Sequence, residues 1–488
     1  MSSAESLLVR PRVTVLTAEQ RAEIHSWSTR LLSSVGVRVD SEQARRLLVA
    51  ATGQPVEDRL VRIPPELVSW ALEAAPSVVD LYSQAGEHSF RLGAGGARFG
   101  IGVTALYYQD PATNRAVPFA RHHMAAMVRL GETLQSFDVI STIGILQDMP
   151  PQVADLYATL EMVANTHKPL VLLISDDQQF VEALDLVEHL RGDLTSRPFL
   201  IPYFNPITPL VINQGTCDKM LATVERGLPF IYSNYGMVGA STPIEPAATL
   251  ALLNAELLAG LVLAQLMREG TPIILGSLPA YFDMRGMGSF YAATSYLLNL
   301  ACAEMMHHYG LPHCGTSGSG MGWEADLIAG ANQWMNHLLS AIGKVGLAPF
   351  VGDTLGSKVF APAVIVYADE VISQARRFSA GFSLALSTAV LSEISDAGPG
   401  GNYLTSQSTL RRFRDAYYSS PTFPNLGLEE WQARGEPAAV DLLRRRTGEL
   451  IATAEPPPDH RELVERGEEF ILGLRRLQRP IPGSGGRR

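Results

Sequence analysis

Four glycines, Gly315, Gly318, Gly320 and Gly322, crowd a twelve-residue stretch that runs on into Trp323-Glu-Ala-Asp326. Glycine lets a backbone turn sharply and come into contact with a ligand. Trp323 and Asp326 stand where this loop gives way to a helical pattern, so an indole face and a carboxylate are delivered beside it. If the chain has an active site, this loop is expected to be part of it. Other side chains able to recognise a ligand stand just past short apolar runs: Asn205, Asn234, Tyr235, Tyr281, Asp283, Thr316 and Asp353. Each also has an ordinary structural reading. An aromatic packs under a loop, Asp326 favours a helix amino end, Asp283 pairs with Arg285, and Asn205 before Pro206 shapes a turn. Glu245, after Pro243, reads as an acid at a helix start, and Glu256 on an apolar helix requires a buried partner.

His307, His308, His313 and Cys314 form a local cluster of metal-binding types. His313 and Cys314 are adjacent and no cysteine follows, which does not fit a zinc ligand set. The histidine pair reads as the end of a helix and Cys314 as a small core residue. No Gly-x-Ser-x-Gly elbow supports a hydrolase.

The elements that must position these residues alternate regularly. Apolar runs at 97–105, 137–146, 169–174, 199–203, 228–233, 271–277, 311–317 and 347–353 each precede a helical pattern. The helices are expected near 120–135, 151–167, 177–191, 215–226, 245–268, 289–309, 325–344 and 362–390. Several runs are apolar throughout, as strands buried on both faces must be. Eight strand–helix units fit a (β/α)8 TIM barrel, an α/β fold; periodicity leaves an open doubly wound sheet as the alternative. No Gly-x-Gly-x-x-Gly with a partner acid follows any strand. Residues 1–95 read as an N-terminal α/β extension, with an extended arm over 1–16 and a capping box at Thr17-Ala-Glu-Gln20. The barrel is assigned to 96–395. A C-terminal helical extension follows over 396–480, with helices at 408–418, 428–454 and 459–477, and 481–488 as a disordered tail.

Composition removes several classes of function. With 488 residues, 46% of them hydrophobic, the chain can bury a large core. A net charge of −10 and the lack of a basic stripe argue against nucleic-acid binding. Three distant cysteines, Cys217, Cys302 and Cys314, suit a reducing cytoplasm rather than a disulfide framework. No signal peptide is evident. The stretch Ala247 to Met267 carries Asn254, Glu256 and Gln265 and reads as a buried helix, not a membrane span.

Taken in order, a set of motifs resembles the trimethylamine methyltransferase family over nearly the full length. They are Gly36-Val-Arg-Val-Asp40 with Val61-Arg-Ile-Pro-Pro65, Asn205-Pro-Ile-Thr-Pro-Leu210, Asn254-Ala-Glu-Leu-Leu-Ala-Gly260, Gly276-Ser with Asp283-Met-Arg285, Tyr309-Gly-Leu-Pro-His-Cys-Gly-Thr316, and Trp431-x-x-x-Gly435. There are departures. The family's Ser-Asp-Ser/Ala-Lys run reads Gly320-Met-Gly-Trp323 here, with Asp326 kept and Ile328 replacing a glutamine. Its Gly-Gly-His and later His-Thr read Gly401-Asn402 and Ser408-Thr409. Ordinary residues fill Gly352-Asp-Thr-Leu-Gly356, where archaeal trimethylamine enzymes carry pyrrolysine.

The resemblance implies the non-pyrrolysine branch, which demethylates quaternary amines such as betaines. It also implies a corrinoid of cobalamin type presented by a separate carrier protein, with no cofactor held tightly in this chain and no metal site. A cytoplasmic homo-oligomer is expected, with neither membrane nor nucleic acid as partner. Losing a methyl group from a quaternary ammonium releases a neutral amine, so no proton need be supplied. The protein must hold the cation, exclude water and align the methyl. Aromatic faces and a carboxylate do this. Tyr235, Tyr281 and Trp323 are therefore the expected cage, with Asp283 or Asp353 as counter-charge and Asn205, Thr316 and Asp326 at neighbouring strand ends. The departures at 320–328 and 402–408 leave open a non-catalytic or divergent ligand-binding barrel of the same family.

Overall fold

The computed structural model describes residues 7–53, 58–93, 95–316 and 320–478. Gly318, the start of the arm and the tail at 481–488 lie outside them.

Eight parallel strands close on one another. We number them β1 (Arg98–Ile101), β2 (Val139–Ser141), β3 (Leu170–Leu172), β4 (Leu200–Phe204), β5 (Phe230–Val238), β6 (Ile273–Asp283), β7 (His313–Cys314) and β8 (Leu347–Val351). Neighbours follow the order β5-β4-β3-β2-β1-β8-β7-β6, and β6 pairs back onto β5, which closes the barrel and excludes the open sheet. That closing ladder runs in register from Phe230↔Ile273 to Val238↔Tyr281. A helix follows each strand: α1 (Arg121–Thr133), α2 (Pro151–Ala164), α3 (Phe180–Arg191), α4 (Gln214–Glu225), α5 (Pro246–Met267), α6 (Ala293–His308), α7 (Leu327–Ile342) and α8 (Pro362–Ala380). The alternation follows from the sequence. β3 and β4 are buried at every position, facing helices on one side and the barrel interior on the other.

The interior is a packed core. Val139, Val171, Ile201, Ile231, Ile274, Cys314 and Leu347 form one buried cluster. Val79, Leu81, Phe90 and Leu92 belong to it too, from an antiparallel hairpin of Val79–Tyr82 and His88–Leu92. This hairpin therefore plugs one end of the barrel, and small ligands must use the other end. Val37–Val39, paired with Leu60–Val61, adds parallel to Val211–Ile212 and so clasps the loop after β4. The helix Ala18–Ser34 begins on the expected capping box, in which the Thr17 hydroxyl accepts from the Gln20 amide.

Several boundaries differ from the sequence reading. The helix expected over 362–390 stops at Ala380, because Gly381 turns the chain at φ +70°. A Cβ there would fall 1.7 Å from the Val9 carbonyl oxygen, where Leu8–Val9 pairs with Phe382–Ser383. The expected helix 428–454 is two, Leu428–Ala433 and Ala439–Thr453, and 408–418 shrinks to Gln407–Arg412. The last helix, His460–Gln478, packs on α2 and α3, with Gly467 against Leu160.

α5 is the one helix among the described residues long and apolar enough to cross a membrane, and 83% of its apolar window is buried inside the protein. Its motif Asn254-Ala-Glu-Leu-Leu-Ala-Gly260 is structural. Asn254 donates to the Ser28 and Tyr309 hydroxyls. Glu256 accepts from the Leu210 amide at 2.7 Å and from Thr208 and Asn234 at 2.9 Å each. A Cβ on Gly260 would lie 2.1 Å from the Tyr232 ring, so only glycine lets α5 lie this close to β5.

Candidate functional site

At the end of the barrel opposite the hairpin, the strands deliver aromatic side chains to a cavity of about 260 Å³. Tyr203 of β4 and Phe350 of β8 meet edge to face across it, with ring centres 5.1 Å apart and planes at 89°. Tyr235 of β5 and Tyr291, just past the return strand Gly288–Phe290, add two more rings. Val103, Leu173 and Leu278 complete the apolar wall, and Thr104, Asn205 and Ser357 are its polar members. Among the described residues that line it, none is basic.

Asp353, at the end of β8, is fully buried behind this wall. Neither of its carboxylate oxygens makes a hydrogen bond of ordinary geometry among the described residues. Burial pushes its carboxyl up to about 7, held in check by the nearby Ser357 hydroxyl and Gly320 amide. The same burial raises the Tyr235 and Tyr291 phenols, and the Asp353 carboxylate pushes both in the same direction. A buried carboxylate without partners is costly and is stabilised by any cation placed near it. Asn205 spends its amide hydrogens on the Tyr203 hydroxyl at 3.1 Å and the Ser233 carbonyl at 2.7 Å. Its side-chain oxygen is left as an acceptor. The chemistry on offer is thus capture of a small cation by aromatic faces and a recessed negative charge.

The glycine loop supports this arrangement from behind. Gly356 donates to the Gly320 carbonyl at 2.9 Å and Leu355 to Gly322 at 3.0 Å, which zips the loop after β7 to the loop after β8. Gly320 has φ +77°, and a Cβ on it would sit 2.7 Å from the Ser357 amide. Any side chain there would part the two loops beside Asp353.

The structure gathers Asn205, Tyr235 and Asp353 at one place and puts the other expected site residues elsewhere. Tyr281 packs against the Val238–Leu298 cluster outside the barrel, 6.3 Å from Phe290 between ring centres. Asp283 forms no pair with Arg285; its carboxylate accepts the Arg285 and Gly286 amides at the tip of a hairpin. Asp326 caps α7, accepting from Ala329 at 2.8 Å and Trp323 at 2.9 Å. Trp323 is 68% exposed and outside the cavity wall, because its backbone is pinned to Asp326 and to Gln109. Thr316 is buried against Asn299. Asn234, also considered above, serves Glu256. Sequence reasoning missed Tyr203, Phe350, Tyr291 and Ser357. The first two looked like core residues of apolar runs, and Tyr291 was assigned to a helix. His313 and Cys314 are both buried. Among the described residues no group of three His, Cys, Asp or Glu side chains could hold a metal.

Comparison with known proteins follows the same lines. The family described as Trimethylamine methyltransferase (MTTB) matches residues 4–476. Glycine betaine methyltransferase of Desulfitobacterium hafniense strain Y51 is 25% identical over 471 residues, covering 94% of this chain and 97% of the relative. Trimethylamine methyltransferase MttB of D. hafniense strain DSM 10664 / DCB-2 is 24% identical over 469 residues, covering 92% and 93%. Among solved structures, the hydroxylamine complex of MtmB superposes with a TM-score of 0.50 at 8% identity over 96% of both chains, a likeness of fold alone.

Proposed function

The chain belongs to the trimethylamine methyltransferase family, and from that premise we propose that it moves a methyl group from a quaternary amine of betaine type to a reduced corrinoid on a separate carrier protein. The observation that carries this reading is the cavity itself. Four aromatic rings, no basic side chain and a recessed carboxylate suit a permanent cation. A desolvated cation–π contact contributes about 2 kcal/mol. The leaving group is a neutral tertiary amine, so no proton need be supplied to it. The residues at 352–356 are ordinary ones, and one relative is a glycine betaine methyltransferase; both favour a quaternary over a tertiary amine.

A carrier-borne corrinoid needs an accessible mouth rather than a resident cradle. The loops at this end expose Leu106, Tyr107, Ile207, Ile244, Met284, Met287, Trp323 and Leu355. They come from six of the eight strand-to-helix connections and ring the opening with apolar surface, as a docking face requires. Reduced cobalt supplies the nucleophile when it is brought there. This chain's residues hold the ammonium, turn one methyl outward and keep water from the cation.

The purified protein, mixed with Co(I) cobalamin and a panel of quaternary amines, is expected to methylate the corrinoid with at least one of them, read by its visible spectrum. Trimethylamine is expected to give no change. Saturable binding of quaternary amines with no methyl transfer, also in the presence of corrinoid carrier proteins, would move the reading to a ligand-binding barrel.

We also propose a homo-oligomer in the cytoplasm. Residues 381–418 leave α8 as an arm whose helices Thr388–Ala397 and Gln407–Arg412 bury nothing. Leu384, Leu386, Leu391, Ile394, Leu404 and Leu410 stay exposed along it, a liability that a second copy of the chain would cover. Light scattering is expected to give a mass at least twice 52.9 kDa; a monomer at micromolar concentration overturns this. The three free, buried cysteines suit a reducing compartment.

A further inference from the structure

A second cavity, of about 330 Å³, adjoins the first and shares Thr104, Leu173, Tyr203 and Asn205 with it. Its remaining wall is mixed: Ser175, Asn213, Thr216 and Lys219 stand among Ile145, Ile174, Phe204, Pro206 and Ile207. Lys219, on α4, is the single basic residue on either wall among the described residues. Its ammonium lies 2.7 Å from Oδ1 of Asp177, with the Lys219 side chain 13% exposed and that of Asp177 51% exposed. The same carboxylate leans over the first turn of α4. A Cβ on Gly215 would fall 1.8 Å from Asp177 Oδ2, so the space it uses exists only because residue 215 is glycine. No side chain caps the amino end of α4; the Asn213 side-chain oxygen is taken by the Thr216 hydroxyl at 2.7 Å. A carboxylate of the chain itself thus sits in a corner built from an ammonium and a helix amino end, at the edge of a cavity that continues into the aromatic one.

The two cavities differ in the charge they place nearest a ligand, although the buried Asp155 carboxylate also lies within electrostatic reach of Lys219. Asp353 stands behind the first and Lys219 in the second, with Asn205 at the junction. The first is walled from the ends of β1, β3, β4, β5, β6 and β8, which come from around the whole barrel, so it lies on the barrel axis. The second is walled by the connections after β1 to β4 and by α4, so it is displaced toward the helix ring.

We infer that the substrate is a zwitterion bound across both cavities. Its quaternary ammonium lies among the tyrosines, and its carboxylate takes the place of Asp177 on Lys219. This rests on the betaine reading above and adds to it the residue that holds the anionic end. Because the two charged positions belong to different, adjoining cavities, a chain longer than the single carbon of glycine betaine is expected to span them. Asp177 is the half-exposed partner, so exchanging it for a substrate carboxylate keeps Lys219 paired throughout. A hydrogen bond between charged groups is the size of effect at stake.

The test is calorimetric titration of the full chain with tetramethylammonium and with trimethylammonium carboxylates bearing one, two and three methylenes. The wild type is expected to prefer the longer zwitterions to both tetramethylammonium and glycine betaine. Lys219→Met should weaken the longer zwitterions by about thirtyfold and leave tetramethylammonium within about twofold, whereas Lys219→Arg restores most of the loss. Asp177→Asn should tighten the zwitterions severalfold and leave tetramethylammonium alone. A melting curve on each variant separates loss of fold from loss of contact. Equal loss for both ligand types in a folded Lys219→Met, or no loss for either, overturns the carboxylate site while the cation site stands. Failure of every quaternary ammonium to bind the wild type overturns both.

Discussion

Asp353→Asn is expected to weaken binding of a quaternary ammonium by about a hundredfold and, at the same time, to make the empty protein more stable above pH 7. Both effects come from one buried carboxyl, pushed up to about 7 by burial. For binding, only the ionised form attracts a cation. At a separation of several ångströms in a protein interior, that attraction is about 3 kcal/mol, or about two orders of magnitude in affinity. Affinity should therefore rise as pH increases through about 7 and level off above it. A bound cation lowers the Asp353 proton affinity, so binding near pH 6 should release a proton, seen as a buffer-dependent binding enthalpy.

For stability the sign is opposite. The folded carboxyl holds its proton up to about 7, whereas the unfolded one loses it near 3.8. The stabilisation from keeping it protonated is full below 3.8 and is lost as pH rises through about 7, a difference on the order of 4 kcal/mol. Asparagine removes that dependence. The variant should melt higher than the wild type at pH 8 and close to it at pH 4. A variant that binds with wild-type affinity and the same pH profile would show that Asp353 is a bystander.

The eight strand–helix units were legible because apolar runs recur at a regular spacing and strands buried on both faces must be apolar; the closure of the barrel came from the pairing of β6 with β5. The site was legible only in part, and strand geometry says why. Successive side chains alternate faces. On β6 the interior holds Ile274 and the cavity Leu278, so Tyr281, an odd number of residues on, turns outward. On β4, Ile201, Tyr203 and Asn205 share the inward parity. Counting from an interior residue would have retained Asn205 and Tyr235, added Tyr203 and rejected Tyr281. The same count fails on β8. The register against β1 shifts between Ala348 and Val351, which brings Phe350 inward alongside Leu347 despite an odd separation. Pro349, which cannot donate to a strand ladder, stands inside that shift and is its one local sequence signal. Tyr291 was hidden for another reason: β6 runs past the barrel and folds back through Gly288–Phe290, where a helix was expected.

Glu256→Leu is expected to produce the largest loss of stability of any single change considered, and to disable the site without touching it. Glu256 is almost fully buried on α5, and burial pushes its carboxyl up to about 7 despite three hydrogen bonds that pull the other way. Those bonds reach the Leu210 amide, the Thr208 hydroxyl and the Asn234 side chain. They tie the connection after β4, which begins at Asn205, to β5 and α5. Leucine fits an apolar helix, but it leaves three donors buried and unpaired at about 1–3 kcal/mol each. The total, roughly 3–9 kcal/mol, is comparable with the whole stability of many domains. Glu256→Gln keeps one acceptor for the Leu210 amide, while Thr208 and Asn234 must reorient, so about 1–2 kcal/mol is the expected cost. Denaturant unfolding ranks the three proteins. If leucine unfolds at the same denaturant concentration as glutamine, the connection is held by something other than this carboxylate. Ligand binding gives the second reading: the glutamine variant, still folded, should retain most of its affinity, because Asn205 keeps its own bonds to Tyr203 and Ser233.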